Sequence, residues 1–315
     1  MLRIGVDAMG GDFAPVQVIL GAADAMQQLS GLATLVLLGD ADKITGICRE
    51  NGIDPGIFVI CPCSQVLEMH EQPVIAYKHK PDSSMARGFQ MLAEGQLDAF
   101  ASAGNTGAML VGSVTTVGSL TGVIRPCISA EIPLLNGGKM LLLDVGFNTD
   151  AKPDVLYQFA ELGTVYAQTI MGIDQPSVAL LNIGEESEKG NMTTREAYKM
   201  LEESPTVNFV GNMEANHLYD GGKADVLVCD GFVGNICLKQ SEALYSVCAR
   251  LGLNREFLNR FNYEEYGGTP VLGIKAPVVI GHGASSPRAI SRMILKAYDV
   301  ASSGLVQRIQ QQMLD

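Results

Sequence analysis

Five times along this chain a short apolar run stops at a polar or glycine-asparagine loop, near residues 7, 104, 144, 184 and 231, and in most cases a helix-like segment follows. Few folds accommodate that pattern. Runs this short and this apolar suit strands buried on both faces, and the alternation of strand, loop and helix calls for a mostly parallel sheet with helices on both sides, an α/β/α sandwich. In such sheets ligands gather beyond the carboxyl ends of the strands. The same loops are therefore where chemistry is expected.

Hydrophobic patterning places strands at 2–6, 34–38, 57–60, 99–103, 139–143, 178–181, 207–210, 226–229 and 278–280. Helices are expected at 83–94, 153–171, 192–203 and 287–301, with Ser83-Ser84 at a start, Gly95 at an end, and Pro153 and Pro287 as first-turn residues. Pro15 opens another helix, whose apolar positions Val16, Ile19, Ala23 and Met26 share a face. No linker or repeat interrupts the 315 residues, so one catalytic domain, 1–315, is expected. Segment 238–261 is helical in character and rich in apolar residues, among them Leu244, Val247, Leu251 and Phe257. It reads either as a helix pair packed inside the domain or as a helical hairpin, 238–266, for dimer or membrane contact.

A formal charge of −12 argues against bulk nucleic-acid binding, which needs a basic surface, and requires any acidic partner to dock on a local basic patch. The 7 cysteines include no C-x-x-C pair, and Met1-Leu2-Arg3-Ile4 does not open a signal peptide, so free thiols in a cytoplasmic setting are expected. No uninterrupted apolar stretch has the length of a membrane span.

The stretch 180–191 concentrates the chemistry. After the strand comes Asn182-Ile183-Gly184-Glu185-Glu186-Ser187-Glu188-Lys189-Gly190-Asn191, and a helix starts at Met192. A strand, a glycine-bearing loop and a helix N-terminus collect backbone N–H groups around an anion, and a lysine beside that positive helix end is unfavourable unless an anion binds there. The plainer reading is a solvated lysine paired with Glu185 or Glu188. Asp230-Gly231-Phe232-Val233-Gly234-Asn235 repeats the grammar, with Asn235 at a helix start, where it is either an N-cap or a donor to a ligand. Lys78, Lys80, Ser83, Ser84 and Arg87 form the densest basic and hydroxyl cluster, either a solvated helix entrance or a dock for phosphate or an acidic carrier. His282, between two glycines, is a turn residue or a general acid or base. Asp7, Asp12, Asp144, Asp150 and Asp230 show no local metal-binding spacing, neither dinucleotide nor P-loop glycine motif occurs, and no cysteine has an assignable histidine base.

Taken together, Asp7 to Pro15, Ser102-Ala-Gly-Asn-Thr-Gly107, Arg125-Pro126, Leu142 to Asp150, Leu180 to Asn191, Cys229 to Asn235, Gly267-Gly268 and Gly281-His-Gly283 resemble, over nearly the whole chain, the phosphate acyltransferase (PlsX) family of bacterial phospholipid synthesis. The family usually has a small residue where Phe147 stands, and the 238–267 hairpin looks shorter here than in many relatives. The resemblance implies a fold like that of isocitrate and isopropylmalate dehydrogenases and of phosphotransacetylase. It implies transfer of a long acyl chain from acyl carrier protein to inorganic phosphate, the acyl phosphate passing to a membrane glycerol-3-phosphate acyltransferase. It also implies a homodimer that uses no metal or cofactor, is cytoplasmic, and is loosely attached to the membrane.

Carried over by motif, Lys189 and Asn235 are the expected catalytic residues, with His282 beside them. The expected substrate-binding set is Asp7, Gly10, Gly11, Lys80, Ser83, Ser84, Arg87, Asn105, Thr106, Asp144, Asn148, Gly184, Asn191, Asp230, Gly231 and Gly234. Phosphate is itself a nucleophile and a thiolate a competent leaving group, so the enzyme has to hold, align and stabilise charge rather than form a covalent intermediate. A coenzyme-A-dependent phosphotransacetylase, a metal-dependent decarboxylating dehydrogenase and a non-catalytic membrane-surface scaffold stay open beside this reading.

Overall fold

The computed structural model describes residues 1–253 and 256–314. In chain order the elements are β1 (Leu2–Asp7), α1 (Val16–Gln28), β2 (Ala33–Gly39), α2 (Ala41–Glu50), β3 (Val59–Pro62), α3 (Pro73–His79), α4 (Ser84–Ala93), β4 (Ala99–Ser102), α5 (Thr106–Gly112), β5 (Cys127–Pro133) and β6 (Lys139–Leu143). There follow α6 (Pro153–Thr169), β7 (Ser177–Asn182), α7 (Met192–Glu202), β8 (Asn208–Glu214), β9 (Val226–Val228), α8 (Gly231–Arg250), α9 (Glu256–Asn259), β10 (Thr269–Leu272), β11 (Val278–Ile280), α10 (Pro287–Ser302) and α11 (Leu305–Gln312). Where one domain was expected, the chain groups into two compact units, Met1–Ser119 with Tyr263–Val306, and Leu120–Asn262 with Gln307–Asp315. The grouping follows spatial neighbours: residues 263–306 return to the first unit and 307–315 to the second, which no local pattern announces.

In the first unit the strands lie in the order β3-β2-β1-β4-β11-β10, all parallel except β10 against β11. Its core is built where strand and helix periods meet. Ile4, Val6, Leu35 and Leu37 face Val18, Ile19 and Ala22 of α1 and Ile290, Ile294 and Ala297 of α10. A fully buried leucine or isoleucine contributes about 2 kcal/mol relative to exposure, so loss of this face would unfold the unit.

In the second unit the order is β5-β6-β9-β7-β8, parallel except for β5 against β6. The apolar strands β6 and β9 carry α6, whose Gly163 lets the helix approach Val226 and Leu143 closely. Because β6, β9 and β7 are parallel neighbours, the loops that leave their carboxyl ends emerge along one edge. Those are the loops after Leu143, Val228 and Asn182.

Most expected elements stand within a residue or two of their predicted bounds. Segment 57–60 is shifted by two because a 3-10 turn, Pro55–Ile57, capped by Asp54, precedes a strand that begins only at Val59, and the strand expected at 207–210 runs on to Glu214. The expected 238–266 hairpin differs too. Its first arm is the later part of α8, a helix that begins at Gly231, and residues 254 and 255 of the segment lie outside the described residues. Among the described residues no helix is long and apolar enough to cross a membrane.

Candidate active site

The second unit carries the loop that the sequence singles out. β7 ends at Asn182 and the chain turns through 183–190 into α7, whose N-cap is Asn191, its side-chain oxygen accepting from Thr194 N–H at 2.9 Å. Gly190, at φ +90°, makes the last bend, a conformation that L side chains rarely adopt. Lys189 N–H donates to the Glu186 carbonyl at 3.1 Å, and the lysine stem lies over Gly184, where any added Cβ would sit 2.7 Å from Lys189 Cγ. The ammonium itself is loosely held. Its nearest carboxylate, on Glu186, is 3.8 Å away, and the side chain is 45% exposed. Glu185, by contrast, pairs with Lys223, whose hydrogen bond and then charge hold that carboxyl below its usual range.

In the same unit, Asp144 just after β6 is buried and gathers backbone donors. Its carboxylate accepts from the N–H groups of Ile128 (3.1 Å), Phe147 (3.2 Å) and Asn148 (2.5 Å), and from Asn148 Nδ2 at 2.9 Å. Gly231 and Gly234 are where α8 meets this network. A Cβ on Gly231 would come within 2.8 Å of Asp144 Oδ2, and one on Gly234 would run into the Asp144 carbonyl. The Gly231 N–H is already engaged with the Asn148 carbonyl at 2.7 Å.

One expectation changes here. Asn235 is not at the helix start: Asp230 caps α8 by accepting from Val233 N–H at 2.8 Å, and Asn235 lies more than a turn inside. From there its Nδ2 donates to the Val145 carbonyl at 3.1 Å, which anchors the amide to the Asp144 loop and leaves one Nδ2 proton and the Oδ1 oxygen outside that bond. Capping had competed with ligand contact for Asn235. The helix begins earlier because Asp230 is the better cap, and the competition disappears.

In the first unit the corresponding loops follow β1, β4 and β11, again parallel neighbours. Asp7 is buried and accepts from Ser102 Oγ (2.7 Å), Met9 N–H (3.1 Å) and the Ser84 hydroxyl; burial outweighs these bonds and pushes its carboxyl up. Gly10 sits against the same carboxylate, and the chain after Gly11 is tied by Asp12 N–H to the Gly283 carbonyl at 2.8 Å. His282 is exposed, and its Nδ1 accepts from Ala284 N–H at 3.2 Å, which places the ring proton on Nε2 in the neutral form.

The basic cluster is bound into the fold. Lys80 Nζ donates to Glu71 at 2.6 Å and to the Val66 carbonyl at 2.7 Å, and that hydrogen bond chiefly holds the Glu71 carboxyl below its usual range. Ser83 is the buried N-cap of α4, accepting from Ala86 N–H, and Ser84 is buried on Asp7. Asn105 caps α5 while both its N–H bonds go to the Met69 and Glu71 carbonyls, 3.0 Å each. Thr106 is exposed at the first position of α5. Arg87 is partly exposed, its Nε 3.9 Å from Asp82.

Burial raises the thiols of Cys127 and Cys229 well above their usual range and pushes Cys63 up to about 12, which removes these three as thiolate nucleophiles at neutral pH. Among the described residues no group of three or more His, Cys, Asp or Glu side chains is arranged to hold a metal ion. Sequence reasoning missed the partners that fix these loops: Ser102 for Asp7, Glu71 for Lys80, Lys223 for Glu185, and Asn182 with Asn212 for the Lys189 loop. Only Asn182 carried a local signal, standing at a strand end before a glycine loop.

Comparison with known proteins bears on the family and the fold. A family model described as "Fatty acid synthesis protein" matches residues 2–256. A phosphate acyltransferase of Thermoanaerobacterium thermosaccharolyticum is 40% identical, with 99% of this chain and 96% of that protein aligned, and one of Desulfitobacterium hafniense (strain Y51) is 39% identical over 99% and 98%. Among solved structures, a phosphotransacetylase from Streptococcus pyogenes superposes with a TM-score of 0.71 at 17% identity, covering 96% of this chain and 94% of that one. A branched-chain phosphotransacylase from Enterococcus faecalis V583 gives 0.61 at 17% identity, covering 100% and 99%; at such identities these two speak for the fold alone. The α/β fold, the family model and the full-length relatives agree, and the chain belongs to the phosphate acyltransferase family as an acyltransferase enzyme of fatty acid and phospholipid synthesis.

Proposed function

We propose that the protein transfers a long acyl group from acyl carrier protein to inorganic phosphate, releasing acyl phosphate and the carrier thiol. The observation that carries this reading is Lys189: a half-exposed ammonium, 3.8 Å from its nearest carboxylate, on a loop that runs into the N-terminus of α7. A cation held so loosely beside a positive helix end is set to receive an anion. A phosphate oxygen attacks the thioester carbonyl, the C–O bond forms, and the carbonyl oxygen becomes an oxyanion. The tetrahedral intermediate collapses with cleavage of the C–S bond, and the thiolate takes a proton from water. Lys189 balances the charge of phosphate or of the oxyanion, and Asn235 directs its remaining amide proton to the same place. Asp144, Asn148, Gly231 and Gly234 support this role by fixing the loop that orients Asn235.

The first-unit residues Asp7, Gly10, Gly11, Ser84, Asn105 and His282 are proposed as a support for substrate binding, acting through the loops they hold. For Lys80 and Ser83 the bonds described favour a structural role, and Arg87 remains the cation of that cluster proposed for an acidic carrier. Exposed apolar residues on α8, including Ile236 (52%) and Val247 (53%), and Leu251 (70%) just after it, support contact with a second copy or with a membrane surface, where a membrane glycerol-3-phosphate acyltransferase would take the product. The phosphotransacetylase-like fold favours one second reading, with acyl-coenzyme A as donor. The experiment is acyl-phosphate formation from phosphate and either long-chain acyl carrier protein or acetyl-coenzyme A, without added metal. Product from the carrier protein alone is expected; product from acetyl-coenzyme A alone would establish the second reading instead.

A further inference from the structure

We propose that Asn182 and Asn212 form an amide relay that positions Lys189, and that a bulge in β8 exists to bring Asn212 into it. The proposal rests on the assignment of Lys189 to the reacting phosphate or oxyanion. Asn212, 9% exposed, donates through Nδ2 to the Glu186 carbonyl at 2.8 Å, and its Oδ1 accepts from Asn182 Nδ2 at 3.0 Å. Asn182 Nδ2 also reaches the Lys189 carbonyl at 3.2 Å, while its Oδ1 takes the Ile183 N–H at 2.9 Å. The turn that carries the lysine, closed by Lys189 N–H on the Glu186 carbonyl, is thus gripped at both of its ends. The orientation of each amide is forced. Carbonyls of residues 186 and 189 only accept and the N–H of residue 183 only donates, so each side chain satisfies its partners one way round.

The sheet shows how Asn212 gets there. Val178 stands opposite Phe209, but Leu180 stands opposite Asn212, so β8 spends three residues where β7 has two. Gly211 absorbs the extra residue at φ +97°. In an unbulged ladder Gly211 would face Leu180, and the side chain of Asn212 would project from the other side of the sheet. Bulges re-aim side chains next to functional sites, and this one turns an amide toward the loop after β7. Another tie, Glu185 to Lys223, joins side chains 51% and 42% exposed, a surface pair that salt weakens. The bonds of buried Asn212 to Glu186 and Asn182 are partly shielded from solvent and do not depend on an ion pair.

Asn212→Asp and Asn182→Asp keep size and shape but set a carboxylate oxygen against a carbonyl that needs a proton. Each is expected to lower kcat/KM for phosphate by about tenfold to a hundredfold, with KM rising as well as kcat falling, and to speed hydrogen exchange at the amides of 183–190 while the thermal midpoint stays near wild type. In a Lys189→Ala background the same substitutions should leave the residual rate unchanged, because the relay acts only through the lysine. Wild-type kinetics in both variants, unchanged exchange of the loop, or an equal fold-loss in both backgrounds would overturn the proposal. Wild-type turnover in Lys189→Ala alone would instead overturn the role of the lysine, and loop exchange would still show whether the tether exists.

Discussion

Lys80 and Lys189 were both candidates for binding an anion, and the structure treats them oppositely. Lys80 is held at 2.6 Å by Glu71 and at 2.7 Å by a backbone carbonyl, with its side chain 28% exposed. Lys189 is 3.8 Å from its partner and 45% exposed, although glutamates stand at 185, 186 and 188 in its own loop. A cation bonded on two sides stabilises its surroundings and has little left for a ligand, whereas one held by its stem and backbone is available. The lesson is that local acidity does not reveal which lysine is occupied. The three-dimensional partner does, and Glu71 is nine residues from Lys80.

Four measurements sharpen or break that contrast. The largest effect is expected for Lys189→Ala, with kcat/KM down 10²- to 10³-fold, about 3 kcal/mol of transition-state stabilisation, in a protein of unchanged thermal midpoint. Steady-state acyl-phosphate formation reads it, and a near-native rate would remove the lysine from the chemistry. Asn235→Ala should follow at about a hundredfold, because the amide proton bonded to the Val145 carbonyl and the one proposed to reach the ligand are lost together. If Asn235→Asp, which cannot donate, matches wild type, the donor role is wrong.

Lys80→Met reverses the pattern, with kcat/KM expected within about threefold of wild type and the melting temperature lower by about 2–4 °C, since the Val66 carbonyl and Glu71 lose their donor. A hundredfold loss of activity without loss of stability would place Lys80 at the substrate and end the contrast. The smallest effect concerns Asp7. Burial raises its carboxyl from the ordinary value near 3.8, so above that pH the folded chain binds more protons than the unfolded one, and stability from this group falls as pH rises toward the raised value. Plotted against pH, the difference in urea midpoint between wild type and Asp7→Asn should slope downward across that window and be flat above it; a flat or rising difference would show that the carboxylate is satisfied by Ser84 and Ser102.

Much of the fold was legible because it is local. β1, β4, β6, β7, α6 and α10 are announced by apolar runs, capping residues and first-turn prolines whose effects act within a few residues. The candidate loops were legible for the same reason, since a strand end followed by glycine and asparagine is a short-range signal. Other features were not. That α8 begins at Gly231 follows from Asp230 capping it, and the competing cap at Asn235 looks as good in one dimension. The shift in β8 at Gly211 appears only when Val178 and Leu180 are matched with their neighbours.

By itself, then, the sequence determined a parallel α/β architecture and the loops at its strand ends, because strand and helix periods and turn chemistry are written in neighbouring residues. It determined the family as well, through motifs in order along nearly the whole chain. Only tertiary structure decided that Lys80 is bound to Glu71 while Lys189 stands open, that Asp7 and Asp144 are buried under their own donors, and that Asn212 reaches the Lys189 loop. Hydrogen bonds and burial depend on distances in space, and partners such as Asp7 and Ser102 lie 95 residues apart along the chain.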